Sequence, residues 1–155
     1  MVTADTERRK RFQALLAAPG PAPRGDLDAL FASLDPVEPE ALIGRWRGAP
    51  FPTGDIWAFL LRQRPLVRWH GKRFRSPDRV DALVMRAFGL TFAAPLGAAV
   101  LRPVAFRGTV STAMIYCWLP IIDHFRAEAP DTLMGAMETR GRLRTYFALF
   151  READR

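Results

Sequence analysis

The sequence is poor in the residues that metal centres and disulfide frameworks require. It contains one cysteine and two histidines, and these have no metal-ligand spacing. The single cysteine, Cys117, cannot form an internal disulfide, which favours a reducing compartment. No glycine-rich phosphate loop precedes a predicted helix. We therefore expect neither a metal site nor a nucleotide-binding loop.

Long apolar segments are also missing. No run of residues approaches the roughly 18 uncharged apolar positions that a membrane-spanning helix needs. The segment 1–20 carries Asp5 and Glu7 ahead of a basic cluster and has only a short apolar stretch, which makes it a poor signal peptide. The sequence thus predicts a cytoplasmic protein that does not cross a bilayer.

The composition is that of a globular protein. Hydrophobic residues make up 49% and charged residues 25% of the chain, and 155 residues can build one substantial core. The proline-rich stretch 19–23 predicts a semi-rigid linker. We expect an N-terminal helix and linker at 1–25, followed by a single folded domain at 26–155.

Positive charge is concentrated in one part of the sequence. The net charge is +7, and residues 44–86 contain ten basic residues and three acidic ones, so this segment alone accounts for the excess. Such a charge attracts phosphate, which makes an anionic membrane surface a candidate partner. Nucleic acid would stack on Trp57, Trp69 and Phe74, but no nucleic-acid-binding module is recognisable. A solvated arginine-rich surface explains the charge more simply.

Two amphipathic helices are predicted near the start of the chain. The first covers Thr6–Ala18 and has one short apolar side. The second begins at Asp26, a good N-cap, and ends before Pro36. Its apolar residues recur at helical spacing and are Leu27, Leu30, Phe31 and Leu34. Both helices are expected to cover one end of the main body.

Two shorter helices are predicted further along. Asp55 caps the first, which ends before Pro65 and has an expected inner face made of Ile56, Phe59 and Leu60. Segment 78–88 fits a second short helix, because its apolar residues recur every three or four positions after the Ser76-Pro77-Asp78 turn.

Strand patterns dominate the remainder of the sequence. Ala41–Arg47 alternates and places Gly44 and Trp46 on one side. Leu66–Arg75 is predicted to be a hairpin that turns at His70-Gly71. Five strands then follow in meander order at Ala98–Phe106, Gly108–Cys117, Ile121–Ala127, Thr132–Glu138 and Leu143–Arg151. Short strands with regular turn signals predict a mainly β protein that folds as an antiparallel barrel or sandwich.

The pentapeptide Gly44-Arg45-Trp46-Arg47-Gly48 resembles the motif that gives the GXWXG family its name. Further stretches follow in the order found in that family, at 69–74, 107–126 and 146–151. The resemblance covers about residues 26–152, with a GXWXG segment at about 26–90 and a C-terminal β segment at about 95–152. The sequence departs from the family pattern at Cys117, where an acidic residue commonly follows the tyrosine.

A looser resemblance extends to calycin barrels such as lipocalins, fatty-acid-binding proteins and nitrobindins, whose first strand carries a Gly-x-Trp. It implies an antiparallel calycin-like β-barrel. In that superfamily the tryptophan usually packs beneath an arginine from the last strand, and Trp46 and Arg151 occupy the matching places. A guanidinium stacked on an indole gains cation–π attraction. The resemblance therefore implies a structural role for Gly44, Trp46, Gly48 and Arg151.

The leading functional hypothesis is non-enzymatic binding of a hydrophobic or lipid-like ligand inside the barrel. A calycin-like barrel is expected to hold an apolar cavity, and clustered arginines favour an anionic head group such as that of a fatty acid or a phospholipid. The expected lining residues are Trp69, Met114, Tyr116, Ile122, His124, Phe125, Arg126 and Phe147. Tyr116, His124 and Arg126 are the expected polar contacts among them.

Three alternatives follow from the residues and the resemblance. Haem would bind through His70 or His124, by analogy with nitrobindins. A hydrolase or isomerase would use Cys117 and His124 as a thiolate pair on a hydrophobic substrate. Asp123 and His124 cannot form a dyad, because neighbours on a strand point to opposite faces. An inert barrel that serves as an interaction partner would have a filled interior.

Overall fold

The computed structural model describes residues 3–62 and 67–154, and its main feature is one antiparallel β-sheet. Its strands are β1 Gly44–Pro50, β2 Val67–Ser76, β3 Arg79–Ala87, β4 Leu90–Ala93, β5 Ala98–Phe106, β6 Thr109–Tyr116, β7 Ile121–Ala129, β8 Thr132–Thr139 and β9 Arg142–Arg151. They lie in the order β2-β1-β9-β8-β7-β6-β5-β3, and β2 also pairs with β3, which closes eight strands into a barrel. β4 extends the sheet from β3. The predicted mainly β, antiparallel barrel is confirmed.

Four helices accompany this barrel, and the first two pack on its outer wall. They are α1 Ala4–Leu16, α2 Arg24–Ser33, α3 Pro39–Leu42 and α4 Ile56–Arg62. Phe12 of α1 and Phe31 of α2 are buried with Tyr146 and Ala148, which point outward from β9. α1 and α2 therefore cover a side wall, whereas the sequence placed them over one end. None of the described helices is long and apolar enough to cross a membrane.

The interior of the barrel is filled at one end. Its side chains form one buried cluster that includes Trp46 from β1, Phe74 from β2, Leu101 from β5 and Phe125 from β7. The rings of Phe74 and Phe125 meet edge to face, with their centroids 5.8 Å apart. Aromatic and branched residues from most of the strands thus leave no room at this end.

A tryptophan and an arginine close the filled end. Trp46 of β1 pairs with Arg151 of β9, and the Arg151 guanidinium carbon lies 4.3 Å from the Trp46 ring centroid. The same guanidinium donates hydrogen bonds to the backbone carbonyls of Ala41 and Ile43. The Trp46 indole N–H donates to the carbonyl of Leu42 at 2.7 Å. This is the arrangement that the calycin resemblance implies, and it joins α3 to the first and last strands.

At both glycines of the Gly44–Gly48 motif, another side chain comes so close to the backbone that a Cβ atom would collide with it. Gly44 has φ = +134°, and a Cβ at this position would lie 2.9 Å from the Arg151 guanidinium. A Cβ at Gly48 would collide with the indole of Trp69 from β2. The first glycine therefore admits the closing arginine, and the second admits an aromatic ring farther inside the barrel.

Two segments adopt a structure other than the predicted one. β2 runs without a turn through His70 and Gly71, so the predicted hairpin is wrong, although Leu66 lies outside the described residues. The predicted helix at 78–88 is also wrong, because this segment forms β3. The pairing of β2 with β3 contains β-bulges, and these interrupt the two-residue alternation by which a strand is recognised.

The apolar face predicted for the third helix is not buried. Asp55 caps this helix as expected, because its Oδ1 accepts a hydrogen bond from the backbone N–H of Ala58 at 2.8 Å. Ile56, Phe59 and Leu60 are nevertheless 61%, 56% and 55% exposed. An amphipathic pattern identifies an apolar face without showing whether the fold covers it.

Replacing Arg151 with methionine should loosen the closed end. The Arg151→Met variant keeps the length of the side chain but loses the cation–π contact and both carbonyl hydrogen bonds. We expect the free energy of unfolding in urea to fall by about 1–2 kcal/mol. Arg142→Met, at the exposed start of the same strand, is the matched control and should change it by less than about 0.5 kcal/mol. Equal effects of the two substitutions would contradict the closing role.

Candidate functional site

The other end of the barrel is hollow. It contains a cavity of about 530 Å³, which lies in the size range of small-molecule sites. Most of its wall is apolar and comes from Trp57, Trp69, Leu83, Met85, Met137 and Phe147. Leu60 and Val67 also line it and are 55% and 42% exposed, so they mark its opening to solvent.

A β-bulge in β2 shapes the wall of the cavity. Trp69 and Lys72 both face the cavity, although residues three apart lie on opposite faces of a regular strand. The pairing of β2 with β3 shifts between Trp69 and Gly71, and this shift brings both side chains to the inner face. The Trp69 ring then lies over Gly48 and meets Phe147 edge to face, at 5.8 Å between centroids.

A polar cluster of Lys72, Asp123 and Tyr116 lies in this otherwise apolar wall. Lys72 Nζ is 3.0 Å from Asp123 Oδ2, and the side chains of both residues are 3% exposed. The same ammonium donates to the carbonyl oxygen of Ala82 at 3.2 Å and to Tyr116 Oη at 3.4 Å. An ammonium has three hydrogens, so these three acceptors satisfy it fully.

Burial changes the acid–base properties of the cluster. It lowers the pKa of Lys72 and raises the pKa of Asp123, while the attraction between the two charges offsets part of each shift. Burial and the Asp123 charge also raise the pKa of Tyr116 well above its usual value. Three acceptors around Lys72 Nζ favour the ammonium form, and a proton stays on the Tyr116 hydroxyl at neutral pH.

Several polar atoms of the wall have no partner among the residues that the structure describes. Asp123 Oδ1 and the indole N–H of Trp69 are buried without a hydrogen bond. The Tyr116 oxygen accepts from Lys72, and no acceptor for the Tyr116 hydrogen occurs within residues 3–62 and 67–154. An unmet buried polar group costs about 1–3 kcal/mol, so this wall is prepared for polar contacts with a bound molecule.

Some of the residues predicted to line a ligand site do line the cavity. Trp69, Tyr116 and Phe147 are part of its wall. Met114 and Phe125 also point into the barrel but belong to the packed cluster at the filled end.

Three other predicted lining residues lie outside the barrel. Ile122, His124 and Arg126 alternate with the inward-facing Asp123 and Phe125 on β7, so they point to the outer face. This arrangement confirms that Asp123 and His124 face opposite sides.

His124 and Arg126 make structural contacts under the helices. The His124 ring stacks on Phe106 at 3.8 Å between centroids, and its Nε2 is 3.1 Å from Glu138 Oε1. Arg126 donates to the carbonyl oxygens of Phe31 and Ala32 at the end of α2 and to that of Phe106. Arg126 thus fixes α2 to the sheet, His124 connects neighbouring strands, and neither side chain is part of the cavity wall.

The geometry does not fit the haem or the thiolate alternative. Neither histidine lines the cavity, since His70 Nε2 is 2.7 Å from Glu152 Oε1 in a separate surface groove. Cys117 is exposed beyond the end of β6, whereas His124 pairs with Ala113. Four residues of strand therefore separate the register positions of the cysteine and the histidine. No axial ligand for haem and no thiolate–imidazole pair is formed.

Sequence reasoning missed Lys72 and Asp123 as site residues. Lys72 is one of two lysines in the chain, and it was counted as part of a basic surface segment. Of the basic residues in 44–86 whose side chains the structure describes, Lys72 is the buried one, and the others are arginines that are exposed or half-buried. The available signal was an acid, Asp123, on the inner face of a mainly apolar strand. A buried carboxylate requires a cation or donors nearby.

Comparisons with known proteins agree with the fold. The profile of the GXWXG protein family matches residues 29–89, and that of the Domain of unknown function (DUF4334) matches residues 97–151. A crystal structure of a protein from Thermomonospora curvata is similar, with 39% sequence identity, a TM-score of 0.83, and 95% of this chain and 99% of that chain covered. No curated protein matches the chain. Lys72 lies in the first matched segment, and Tyr116 and Asp123 lie in the second, so both segments build the polar cluster.

Removing one partner of the buried ion pair should cost more stability than removing both. Lys72→Met leaves Asp123 buried without a cation, and we expect the free energy of unfolding to fall by about 3 kcal/mol. The double variant Lys72→Met/Asp123→Leu replaces the pair with apolar groups and should stay within about 1 kcal/mol of the wild type, or exceed it. Urea unfolding measures both effects.

The control for these variants is Lys10→Met, which removes the other lysine from the exposed surface of α1. Its effect should be below about 0.5 kcal/mol. A double variant as unstable as Lys72→Met alone would show that the two charges do not act as a pair.

Acidification should weaken the contacts that His124 makes between strands on the outer face of the sheet. Burial lowers the pKa of His124 below its usual 6.5, although the contact with Glu138 acts in the opposite direction. The unfolded chain then binds the proton more readily, so this contribution to stability decreases as the pH falls below about 6.5. Between about pH 7.5 and about pH 5.5, wild type should lose more unfolding free energy than His124→Gln. Equal losses of unfolding free energy in the wild type and in His124→Gln would contradict this role of His124.

Proposed function

Since the chain belongs to the GXWXG family and both matched segments fold into one barrel, we propose that it binds a small, mainly apolar molecule in the cavity at the hollow end. The observation that carries the proposal is the 530 Å³ cavity with its largely apolar wall. Protein interiors are otherwise close-packed, and the opposite end of this barrel follows that rule. A space of this size and chemistry is suited to burying most of a small organic ligand.

Access to the cavity is supported by the residues at its opening. Leu60 of α4 and Val67 at the start of β2 are exposed and line the cavity as well. An apolar molecule would contact Leu60 and Val67 before it reaches the interior, where burial of its surface drives binding.

The anionic head group expected from the sequence has limited support inside the cavity. Lys72 is already paired with Asp123, so the inner wall carries no net charge from these two groups. Arg68 is the exposed cation that lines the cavity. A carboxylate or phosphate would therefore be held near the opening by Arg68, while its apolar part fills the interior.

A chemical step on the bound molecule is a second candidate function. It is favoured by the location of three titratable groups, Lys72, Tyr116 and Asp123, in the wall of an apolar cavity, where burial shifts the pKa of each. Mass spectrometry of a co-purified molecule, before and after incubation with fresh protein, distinguishes the two functions. An unchanged molecule supports binding alone, and a changed one supports catalysis.

Filling the cavity should abolish binding of an apolar probe. Met85→Trp places an indole in the cavity from a half-buried position on β3. We expect the affinity for Nile red, followed by its fluorescence, to fall by at least about tenfold because the space is occupied. The matched control Val110→Trp adds an indole near the start of β6, where the native side chain is 62% exposed and is not part of the cavity wall, and should leave the affinity unchanged. Equal affinities of both variants would place the probe elsewhere.

A further inference from the structure

In the polar cluster, Lys72 is the donor of every hydrogen bond, and Asp123, Tyr116 and the backbone accept from it. The Lys72 ammonium uses its three hydrogens on Asp123 Oδ2, the carbonyl oxygen of Ala82 and Tyr116 Oη. It has no further hydrogen to offer to a ligand. At the polar cluster, any polar contact with a bound molecule must therefore come from Asp123 or Tyr116, and the indole N–H of Trp69 is a further donor of the wall that has no acceptor among the described residues.

Asp123 offers an acceptor. Its Oδ2 is bound by Lys72, while its Oδ1 is buried and has no donor among the described residues. A bound water is a poor hydrogen-bond donor for Oδ1 here, because a buried water needs several polar partners and most of the surrounding wall is apolar. A hydrogen-bond donor on the ligand would satisfy Oδ1.

Tyr116 offers a donor. Its oxygen accepts from Lys72, so its own hydrogen must point to another acceptor. The raised pKa of Tyr116 keeps that hydrogen in place at neutral pH. Tyr116 and Asp123 both accept a hydrogen bond from the same ammonium of Lys72. The Tyr116 hydrogen and Asp123 Oδ1 therefore occupy one region of the cavity wall.

Charge at this position excludes ionic head groups. The charges of Lys72 and Asp123 cancel each other. A carboxylate would face the free oxygen of Asp123 without receiving a hydrogen from Lys72, and an ammonium would face the Lys72 charge. The desolvation of either ion would not be compensated. A neutral group with one donor and one acceptor meets both unfilled atoms.

We infer that the molecule bound in the cavity is a neutral, mainly apolar alcohol, whose hydroxyl donates to Asp123 Oδ1 and accepts from the Tyr116 hydroxyl. This inference rests on the proposed function and assigns the chemical class of its ligand. The hydroxyl group is the smallest group that carries both a donor and an acceptor. The alcohol lies with its hydroxyl at the polar cluster and its apolar part against Trp69, Met85 and Phe147.

A matched series of ligands tests the inference. Decanol, decyl methyl ether and decanoate share one apolar chain and differ in the head group. Isothermal titration calorimetry with the full-length protein should give an affinity for decanol about tenfold or more above that for the ether, which cannot donate to Asp123. Decanoate should also bind at least about tenfold more weakly than decanol.

Two variants connect this preference to the named atoms. Tyr116→Phe removes the donor from which the oxygen of either ligand accepts, and should lower the affinities for decanol and for the ether alike, each about three- to tenfold. Tyr146→Phe alters the chain's other tyrosine, outside the barrel under the helices, and should leave both affinities unchanged. The double variant Lys72→Met/Asp123→Leu has no polar cluster and should bind the ether as tightly as decanol, or more tightly.

The outcomes separate this inference from the proposed function. Equal binding of decanol and the ether, or tightest binding of decanoate, would overturn the inference and leave apolar binding in the cavity intact. A preference for decanol over the ether that survives in the double variant, or an unchanged affinity for decanol in Tyr116→Phe, would also overturn it. If neither Nile red nor any member of the series binds, the proposed function fails, and the assignment of the ligand fails with it.

Discussion

An ammonium and a carboxylate buried 3.0 Å apart inside the barrel impose the strongest constraint on this structure. Either charge alone would be costly in an apolar interior, so β2 and β7 must bring Lys72 and Asp123 together on the inner face. The β-bulge near His70 meets that requirement and turns Trp69 inward as well. The polar cluster also sets the chemistry of the cavity, because it uses every hydrogen of Lys72 and leaves Asp123 Oδ1 and the Tyr116 hydrogen without a partner in the part of the chain that the structure describes.

The two ends of the barrel differ in how tightly their interiors are packed. At the filled end, Trp46 beneath Arg151 and the packed rings of Phe74 and Phe125 close the sheet and make it rigid. At the hollow end, the side chains stop short of filling the space, and α4 leaves apolar residues exposed beside the opening. The two glycines of the motif serve one end each. Gly44 leaves space for the guanidinium of Arg151 at the filled end, and Gly48 leaves space for the indole of Trp69 above it. A rigid floor beneath a partly polar cavity is a suitable arrangement for holding a small molecule in one orientation.

Prediction from the sequence succeeded where the patterns are local and regular. The five C-terminal strands were placed within about three residues of their observed ends, and their outward and inward faces alternate as expected. It failed at β3, which was predicted as a helix, because bulges break the alternation that identifies a strand. For the cavity, Trp69, Tyr116 and Phe147 were found, but His124 and Arg126 were misplaced because the sequence does not show which face of β7 points inward. Parity divides a strand into two faces without assigning either one to the interior.

The sequence by itself determined a mainly β fold, the family resemblance around the Gly44–Gly48 motif, and the closing contact of Trp46 with Arg151. The fold class follows from short-range patterns and the family resemblance from motifs in the sequence, whereas the contact of Trp46 with Arg151 was implied by the resemblance to calycin barrels. Tertiary structure alone decided that one end of the barrel is hollow and that Lys72, Tyr116 and Asp123 meet there. The reason is physical: Lys72 comes from β2, which is distant in sequence from β6 and β7, the consecutive strands that carry Tyr116 and Asp123. Their meeting depends on barrel closure and on a bulge, and neither is encoded in the alternation of any single strand.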